Sequence, residues 1–150
     1  MSVTLVSGVN GVGLSSVCQA VRRGLGDGYK LINFGDVMLE QAAAMGLATE
    51  RAKLGTLSQP ETRRLQRRAG EFVAKEAETT NVILSTHLAV ETLTGYVQGL
   101  PVEVLEYVSP DAFVLVEAEP ATILERRRSS DRDLDGVTER QIDFEQDLNR

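Results

Sequence analysis

The stretch SGVNGVGLSS, from Ser7 to Ser16, follows the apolar run VTLV at Val3–Val6. Gly8 and Gly13 bracket four residues and two serines come shortly after, which is the spacing of the phosphate-binding loop G-x-x-x-x-G-K-[ST]. Leu14 stands where that loop has lysine. A buried strand, a glycine loop and a helix start in this order predict a nucleotide phosphate site despite that exchange.

Most of the predicted phosphate contacts of this loop come from the backbone. Glycines permit positive φ angles, so amide N–H groups can converge on an anion at the positive end of the following helix. These donors do not depend on residue 14, whereas losing a well-placed cation commonly costs about 10² to 10³ in rate. The predicted nucleotide-binding residues are Gly8, Val9, Asn10, Gly11, Val12, Gly13, Leu14, Ser15 and Ser16, with the Ser15 hydroxyl as the predicted Mg²⁺ ligand. The alternative is a glycine turn that binds no ligand.

Four short apolar runs predict buried strands at Val3–Ser7, Tyr29–Phe34, Val82–Thr86 and Ala112–Glu117. Their continuous apolar character is typical of a parallel sheet that is covered on both faces. Helical patterns separate the runs, so we expect one α/β domain with a parallel sheet sandwiched by helices and right-handed crossovers. Ligands bind such sheets beyond the carboxyl ends of the strands.

Two helix starts are visible between the second and the third of these strands. Ser58 and Glu61 form a capping box that predicts a helix over Gln59–Glu78. Asp36 is the predicted N-cap of a shorter helix over Val37–Leu47. The longer helix carries four arginines for which the pattern favours a solvated face: Arg63, Arg64, Arg67 and Arg68.

The composition limits the classes of function. A chain of 150 residues with 42% hydrophobic and 25% charged residues is typical of a single globular domain. The formal net charge of −6 argues against binding to nucleic acid, which requires a surplus of lysine and arginine. No stretch approaches the roughly 20 apolar residues of a membrane span. One cysteine, Cys18, permits no internal disulfide, as expected for a protein of the cytoplasm.

Several motifs after the glycine loop carry a resemblance to a known family. They are INFGDVMLE (Ile32–Glu40), STH (Ser85–His87), TGYVQGLP (Thr94–Pro101) and ILERRR (Ile123–Arg128), in this order along the chain. With the loop, they make the whole chain resemble the archaeal type of adenylate kinase, a P-loop nucleoside monophosphate kinase. The Asn-Phe-Gly and Gly-Tyr-x-x-Gly-Leu-Pro stretches are the specific part of the resemblance.

The resemblance implies a P-loop kinase fold and Mg²⁺-dependent phosphoryl transfer from ATP to AMP, giving two ADP. It implies a monophosphate-binding region over about residues 33–79 and a lid over about residues 126–136. The implied AMP-binding residues are Phe34, Gly35, Arg51, His87 and Tyr96, and the implied catalytic arginines are Arg126, Arg127 and Arg132. Arginine forks suit this task because they hold phosphates bidentately without losing charge. A homotrimer is also implied by the family.

Three features depart from the family pattern. Ser85 replaces the aspartate of an Asp-Thr-His stretch that helps to hold hydrated Mg²⁺, and the lid segment SSDRDLD (Ser129–Asp135) is short. The family continues beyond Arg150 with a fifth strand and a last helix. The resemblance therefore predicts a C-terminally truncated chain with four strands, and an exposed sheet edge that makes it poorly stable.

The residues leave other functions open. A kinase for another monophosphate, such as CMP, would use the same loop and arginines. A nucleotide-binding module without turnover would explain Leu14 and Ser85. His87 is equally consistent with a hydrogen-bonded structural histidine, and the arginines after Ile123 with a solvated basic helix end that favours the helix dipole.

Overall fold

A computed structural model describes residues 1–92, 94–130 and 136–150. Six strands lie in these ranges: β1 (Val3–Ser7), β2 (Tyr29–Asn33), β3 (Asn81–Thr86), β4 (Ala89–Thr92), β5 (Gly95–Gln98) and β6 (Ala112–Leu115). The α-helices in the same ranges are α1 (Leu14–Leu25), α2 (Phe34–Ala44), α3 (Gln59–Ala77), α4 (Val102–Val108), α5 (Pro120–Ser129) and α6 (Glu139–Leu148). A 3₁₀ helix covers Arg51–Thr56.

The four predicted strands form one parallel sheet in the order β2-β3-β1-β6, which confirms the predicted α/β class. β1 lies in the middle, with Val3 opposite Val82 of β3 and Ser7 opposite Leu115 of β6. Because all four strands run the same way, the loops after β1, β2, β3 and β6 lie at one edge. The phosphate loop is the one that follows β1.

Helices cover both faces of the sheet. Phe34, Val73 and Val104 pack with Leu5 and Leu84 on one face, so α2, α3 and α4 form that layer. The apolar residues from α1, α5 and α6 pack on the other face, with Val6 and Ile83; they are Leu14, Cys18, Ile123, Leu124 and Ile142. The two layers explain why the strands read as continuous apolar runs.

The start of α2 differs from the sequence prediction. The helix begins at Phe34, and its N-cap is Asn33, whose side chain accepts a hydrogen bond from the Asp36 amide at 3.2 Å. The predicted cap at Asp36 was therefore wrong, because Asn33 supplies the same acceptor three residues earlier. The capping box of Ser58 and Glu61 is confirmed at the start of α3.

An antiparallel hairpin of β4 and β5 follows β3 and was not predicted. Its two strands have four residues each and are largely exposed or half-buried, so they carry no continuous apolar run. The chain after β5 passes very close to His87, because a Cβ on Gly99 would clash with the His87 carbonyl oxygen. The Gly99 amide donates to the Leu88 carbonyl at 2.9 Å. A glycine at position 99 thus leaves room for the close approach of the two chain segments at the base of the hairpin.

β6 forms an outer edge of the sheet and leaves its apolar side chains in contact with solvent. Phe113 is 59% exposed and Val114 is 44% exposed. No other strand among the described residues pairs with the far side of β6. A search of the same residues also finds no helix long and apolar enough to cross a membrane.

Candidate active site

The phosphate loop needs glycine at three positions. Gly11 and Gly13 have φ angles of 88° and 91°, which L side chains rarely adopt. A Cβ on Gly8 would lie 2.7 Å from Cγ1 of Val12 and 2.8 Å from the carbonyl oxygen of Val116. The glycine pattern of the sequence therefore corresponds to a tightly folded loop in the structure.

The loop delivers unpaired amides to the start of α1. Within the loop, the Val12 amide donates to the Val9 carbonyl at 3.2 Å. Gly13 is the N-cap of α1, and the first helical hydrogen bond runs from the Val17 amide to the Gly13 carbonyl at 3.1 Å. The preceding amides have no intrahelical partner and lie at the positive end of the helix dipole. Ser15 and Ser16 are exposed here, whereas Leu14 is 9% exposed and packs in the apolar layer. The arrangement suits an anion, with hydroxyl groups beside it.

Arg126 lies against the phosphate loop. Its Nη1 donates to the Val12 carbonyl at 2.9 Å and to the Gly11 carbonyl at 3.4 Å. The same nitrogen lies 3.4 Å from the position that a Cβ on Gly13 would take. A positive charge is therefore present beside the loop although residue 14 is leucine.

Arg127 also contacts the loop, but from a buried position. Its Nε donates to the Asn10 carbonyl at 2.8 Å, and its Nη2 donates to Oε2 of Glu145 in α6 at 2.7 Å. Its side chain is 8% exposed and that of Glu145 is 12% exposed. Arg127 thus connects α5, α6 and the loop, with its charge neutralised by Glu145.

His87 approaches the loop from the end of β3. Its Nδ1 lies 2.5 Å from the carbonyl oxygen of Gly8. A carbonyl oxygen can only accept, so Nδ1 carries the proton and donates it to this bond. The histidine therefore helps to fix the first residue of the loop.

A cavity of about 790 Å³ lies beside the phosphate loop. Leu14 and His87 line it on the loop side, and α3, the 3₁₀ helix and the hairpin enclose the rest. Its size falls within the usual range for ligand sites. The predicted residues Phe34, Gly35 and Arg51 line the cavity as well.

Arg51 is held at one side of this cavity by residues at the start of α2. Its Nη1 pairs with the carboxylate of Asp36, and its Nη2 donates to Oδ1 of Asn33 at 3.2 Å. The guanidinium lies over the backbone of Gly35, where a Cβ would be only 2.6 Å from Cζ of Arg51. A glycine at 35 therefore leaves room for the arginine.

Sequence reasoning missed the polar residues of α3 that line the cavity, which include Arg63, Gln66 and Arg67. Arg63 and Arg67 are exposed and were interpreted as a solvated face, but both border the cavity. The signal available was their spacing of four residues, which places them on one face of the helix. Gln66 is 4% exposed and gave no signal that separates it from core positions.

Tyr96, one of the predicted AMP-binding residues, does not line the cavity. The Tyr96 hydroxyl is 3.5 Å from Oε1 of Glu145, and its ring packs edge-to-face on Phe144 with 5.9 Å between centroids. Burial, followed by the charge of Glu145, raises the pKa of Tyr96. Arg132 lies outside the described residues, as does most of the SSDRDLD segment.

Two carboxylates that follow strands of the sheet are paired with arginines. Asp36 pairs with Arg51, and Glu117, beyond the end of β6, accepts from Nε of Arg150 at 2.6 Å. Ser85 is 5% exposed, and its hydroxyl donates to the Ile32 carbonyl at 3.4 Å. The described residues contain no cluster of three or more His, Cys, Asp or Glu side chains suited to a metal ion. Of the residues considered for a metal ion in the described part of the chain, Ser15 keeps an exposed hydroxyl.

The phosphate loop after a central strand of a parallel sheet, with the cavity beside it, defines a P-loop kinase. Solved structures with the same fold include a sugar kinase from Janibacter, at a TM-score of 0.58 and 13% identity, covering 100% of this chain and 78% of that one. A gluconokinase from Sinorhizobium meliloti has a TM-score of 0.56 and 16% identity, covering 99% of this chain and 75% of that one. These likenesses show the fold alone.

Sequence relatives are more specific. Residues 7–143 match the family described as AAA domain. The chain is 38% identical to the adenylate kinase of Thermococcus onnurineus, over 99% of this chain and 76% of that protein. It is also 38% identical to the adenylate kinase of Methanothermobacter thermautotrophicus, over 100% of this chain and 80% of that protein. The chain belongs to the adenylate kinase family of nucleoside monophosphate kinases, which confirms the resemblance given by its motifs.

Proposed function

We propose that the protein transfers the γ-phosphoryl group of ATP to AMP and so produces two molecules of ADP. The observation that carries the proposal is the cavity of about 790 Å³, which is lined by Leu14 of the phosphate loop and by His87, whose ring is hydrogen-bonded to that loop. Two nucleotides bound at the loop and in the cavity would present their phosphates to each other. Family membership supports the choice of ATP and AMP.

The proposed reaction needs positioning and charge neutralisation rather than a side-chain nucleophile. A phosphate oxygen of AMP attacks the γ-phosphorus of ATP, and the bond from that phosphorus to the β–γ bridging oxygen breaks. The loop amides from Gly8 to Ser16, except that of Val12, which donates to Val9, hold the ATP phosphates, and Arg126 supplies positive charge from the edge of the loop. Arg51 binds the phosphate of AMP from its place over Gly35.

The neighbouring residues act through the loop. Arg127 and His87 hold the Asn10 and Gly8 carbonyls, so we assign them positioning roles. We further propose that residues 33–79 form the monophosphate-binding region and residues 126–136 the lid. A cytoplasmic location and the trimer implied by the family stay predictions.

Magnesium fits this site as an ion that arrives with ATP. Mg²⁺ prefers to keep several waters and is usually held by substrate phosphates together with few protein ligands. One exposed hydroxyl, that of Ser15, meets this limited need, whereas the hydroxyl of Ser85 is committed to the Ile32 carbonyl. When bound, the ion neutralises charge on the β- and γ-phosphates.

The proposal is tested by incubating the protein with ATP, magnesium chloride and AMP, and by separating the nucleotides by chromatography. We expect two ADP for each AMP consumed, and none with EDTA in excess of magnesium. CDP from CMP without ADP from AMP would select a CMP kinase. Binding of ATP by calorimetry without any product would select a module without turnover, and either result would end the proposal.

A further inference from the structure

Gln66 is a buried polar residue on the wall of the cavity. It lies in the second turn of α3, is 4% exposed and lines the cavity that also contains Arg51. Its Nε2 donates to the Gln98 carbonyl at 2.9 Å and to the Gly99 carbonyl at 3.3 Å. Both amide hydrogens are therefore used to fix the side chain to the last residue of β5 and to the residue that follows it.

These two bonds also fix which way the amide faces. Carbonyl oxygens only accept, so the nitrogen must face Gln98 and Gly99 and the oxygen must point away from them. No described residue donates to Oε1 of Gln66. Among the described residues, the only fully buried side-chain nitrogen or oxygen without a partner is Oγ of Ser7. Since Oε1 of Gln66 lacks a partner and is not fully buried, it opens towards the cavity that the residue lines.

We propose that Oε1 of Gln66 selects the base of the monophosphate by accepting a hydrogen bond from its exocyclic amino group. This inference rests on the proposed function and deepens it. Adenine and cytosine carry an amino group at the corresponding position, whereas guanine and uracil carry a carbonyl oxygen there. An oxo base would place an acceptor against an acceptor whose orientation cannot reverse. A site built around one hydrogen bond rejects analogues that cannot make it far better than an apolar pocket can.

The orientation of Gln66 distinguishes this role from a purely structural one. Fixing α3 to Gly99 requires only the amide nitrogen, and it would leave preference between amino and oxo bases unaffected. Base selection requires the oxygen. AMP and IMP are suitable probes because they differ in the base at position 6, where one has an amino group and the other an oxo group.

The test measures kcat/KM for AMP and for IMP with saturating Mg-ATP. We expect the unaltered protein to prefer AMP by about 10²-fold or more, since the preference combines a lost bond with a repelled acceptor. Gln66→Met keeps the length of the side chain but removes the acceptor, so the preference should fall to about tenfold or less. The KM for ATP should not change. Gln19→Met, the same exchange at an exposed position of α1 outside the cavity, should keep the full preference.

A preference that survives in Gln66→Met at an unchanged melting temperature would overturn the inference. If Gln66→Met does not fold, the affinities of the unaltered protein for AMP and IMP, measured by calorimetry, decide: a difference below about threefold overturns the inference. The same titration distinguishes the proposed role of Gln66 from the proposed kinase activity. Tight AMP binding with weak IMP binding and no ADP formed would support the role of Gln66 while refuting the kinase.

Discussion

Arg127 and Glu145 form a buried ion pair that holds α6 against the phosphate loop. Their Nη2 and Oε2 atoms are 2.7 Å apart, and Arg127 also donates to the carbonyl of Asn10 within the loop. Removing one member of a buried pair leaves a charge without compensation, which typically costs 3–5 kcal/mol. We expect Glu145→Gln to lower the free energy of unfolding by about 3 kcal/mol, measured by urea denaturation.

An exposed ion pair provides the control for this experiment: Asp147 lies in α6, and its partner Arg150 follows the helix. Exposed ion pairs contribute about 0–1 kcal/mol, so Asp147→Asn should leave the unfolding midpoint nearly unchanged. Equal effects of the two substitutions would show that burial of Arg127 does not matter. In the Glu145→Gln protein we also expect a higher KM for ATP, because Arg127 is no longer fixed beneath Asn10.

Gly35 and Arg51 are in such close contact that a methyl group at 35 would displace the guanidinium. We expect Gly35→Ala to raise the KM for AMP about tenfold while leaving the KM for ATP unchanged. Alanine favours helices over glycine, and residue 35 lies in the first turn of α2, so the melting temperature should not fall. Steady-state kinetics with each nucleotide varied in turn give both constants.

Gly24 is a matched control for Gly35, because it also lies in a helix and a Cβ there would have no atom within 4 Å. Gly24→Ala should keep both KM values. A Gly35→Ala enzyme with an unchanged KM for AMP would mean that Arg51 does not bind the monophosphate from its observed position.

The parts of the fold that depend on local pattern could be predicted from the sequence. The four parallel strands, the glycine loop and the capping box at Ser58 follow from apolar runs, spacing and a paired cap. The hairpin of β4 and β5 could not be predicted, because its short exposed strands depend on a close approach at Gly99 that only the folded chain creates. The start of α2 was misplaced because Asn33 and Asp36 are both good caps.

The site shows the same division. The spacing of the glycines revealed the loop. Arg126 lies beside the loop but is 113 residues beyond Gly13 in the sequence, so no local spacing connects the two. Sequence could not show that Nε2 of Gln66 is fixed by two carbonyls, since that bond depends on how α3 packs against the segment after β5. Long-range side-chain contacts of this kind carry no periodic signal.

Leu14 gives the phosphate loop no positive charge at position 14, and Arg126 places one beside the loop instead. Arg126 donates to the Val12 carbonyl, and we expect Arg126→Ala to lower kcat by about 10² to 10³, the usual cost of losing one electrostatic stabiliser. If the arginine supplies the charge that position 14 lacks, adding Leu14→Lys to the Arg126→Ala protein should restore part of the loss. Single-turnover measurements with Mg-ATP and saturating AMP report the chemical step directly.

Arg23 is the control for this pair, because it is exposed in the last turn of α1 and makes no hydrogen bond or ion pair with the described residues. Arg23→Ala should keep kcat within about twofold. Equal losses with and without Leu14→Lys would show that a cation at position 14 cannot replace Arg126.

Cys18 lies in the apolar layer formed by α1, and its buried thiol titrates differently from a thiol in water. It is 1% exposed, and burial raises its pKa above the ordinary value of 9.0. The folded state then holds the proton at a pH where the unfolded chain has lost it, so this residue reduces stability as the pH rises through 9.0. We expect Cys18→Ala, though less stable at pH 7 because of the lost packing, to lose less stability than the unaltered protein between pH 8 and pH 10. Urea denaturation at each pH measures the free energy of unfolding of both proteins, and the contributions of the other titrating groups cancel in the difference between them. If the two free energies fall in parallel as the pH rises, the thiol keeps its ordinary pKa on folding.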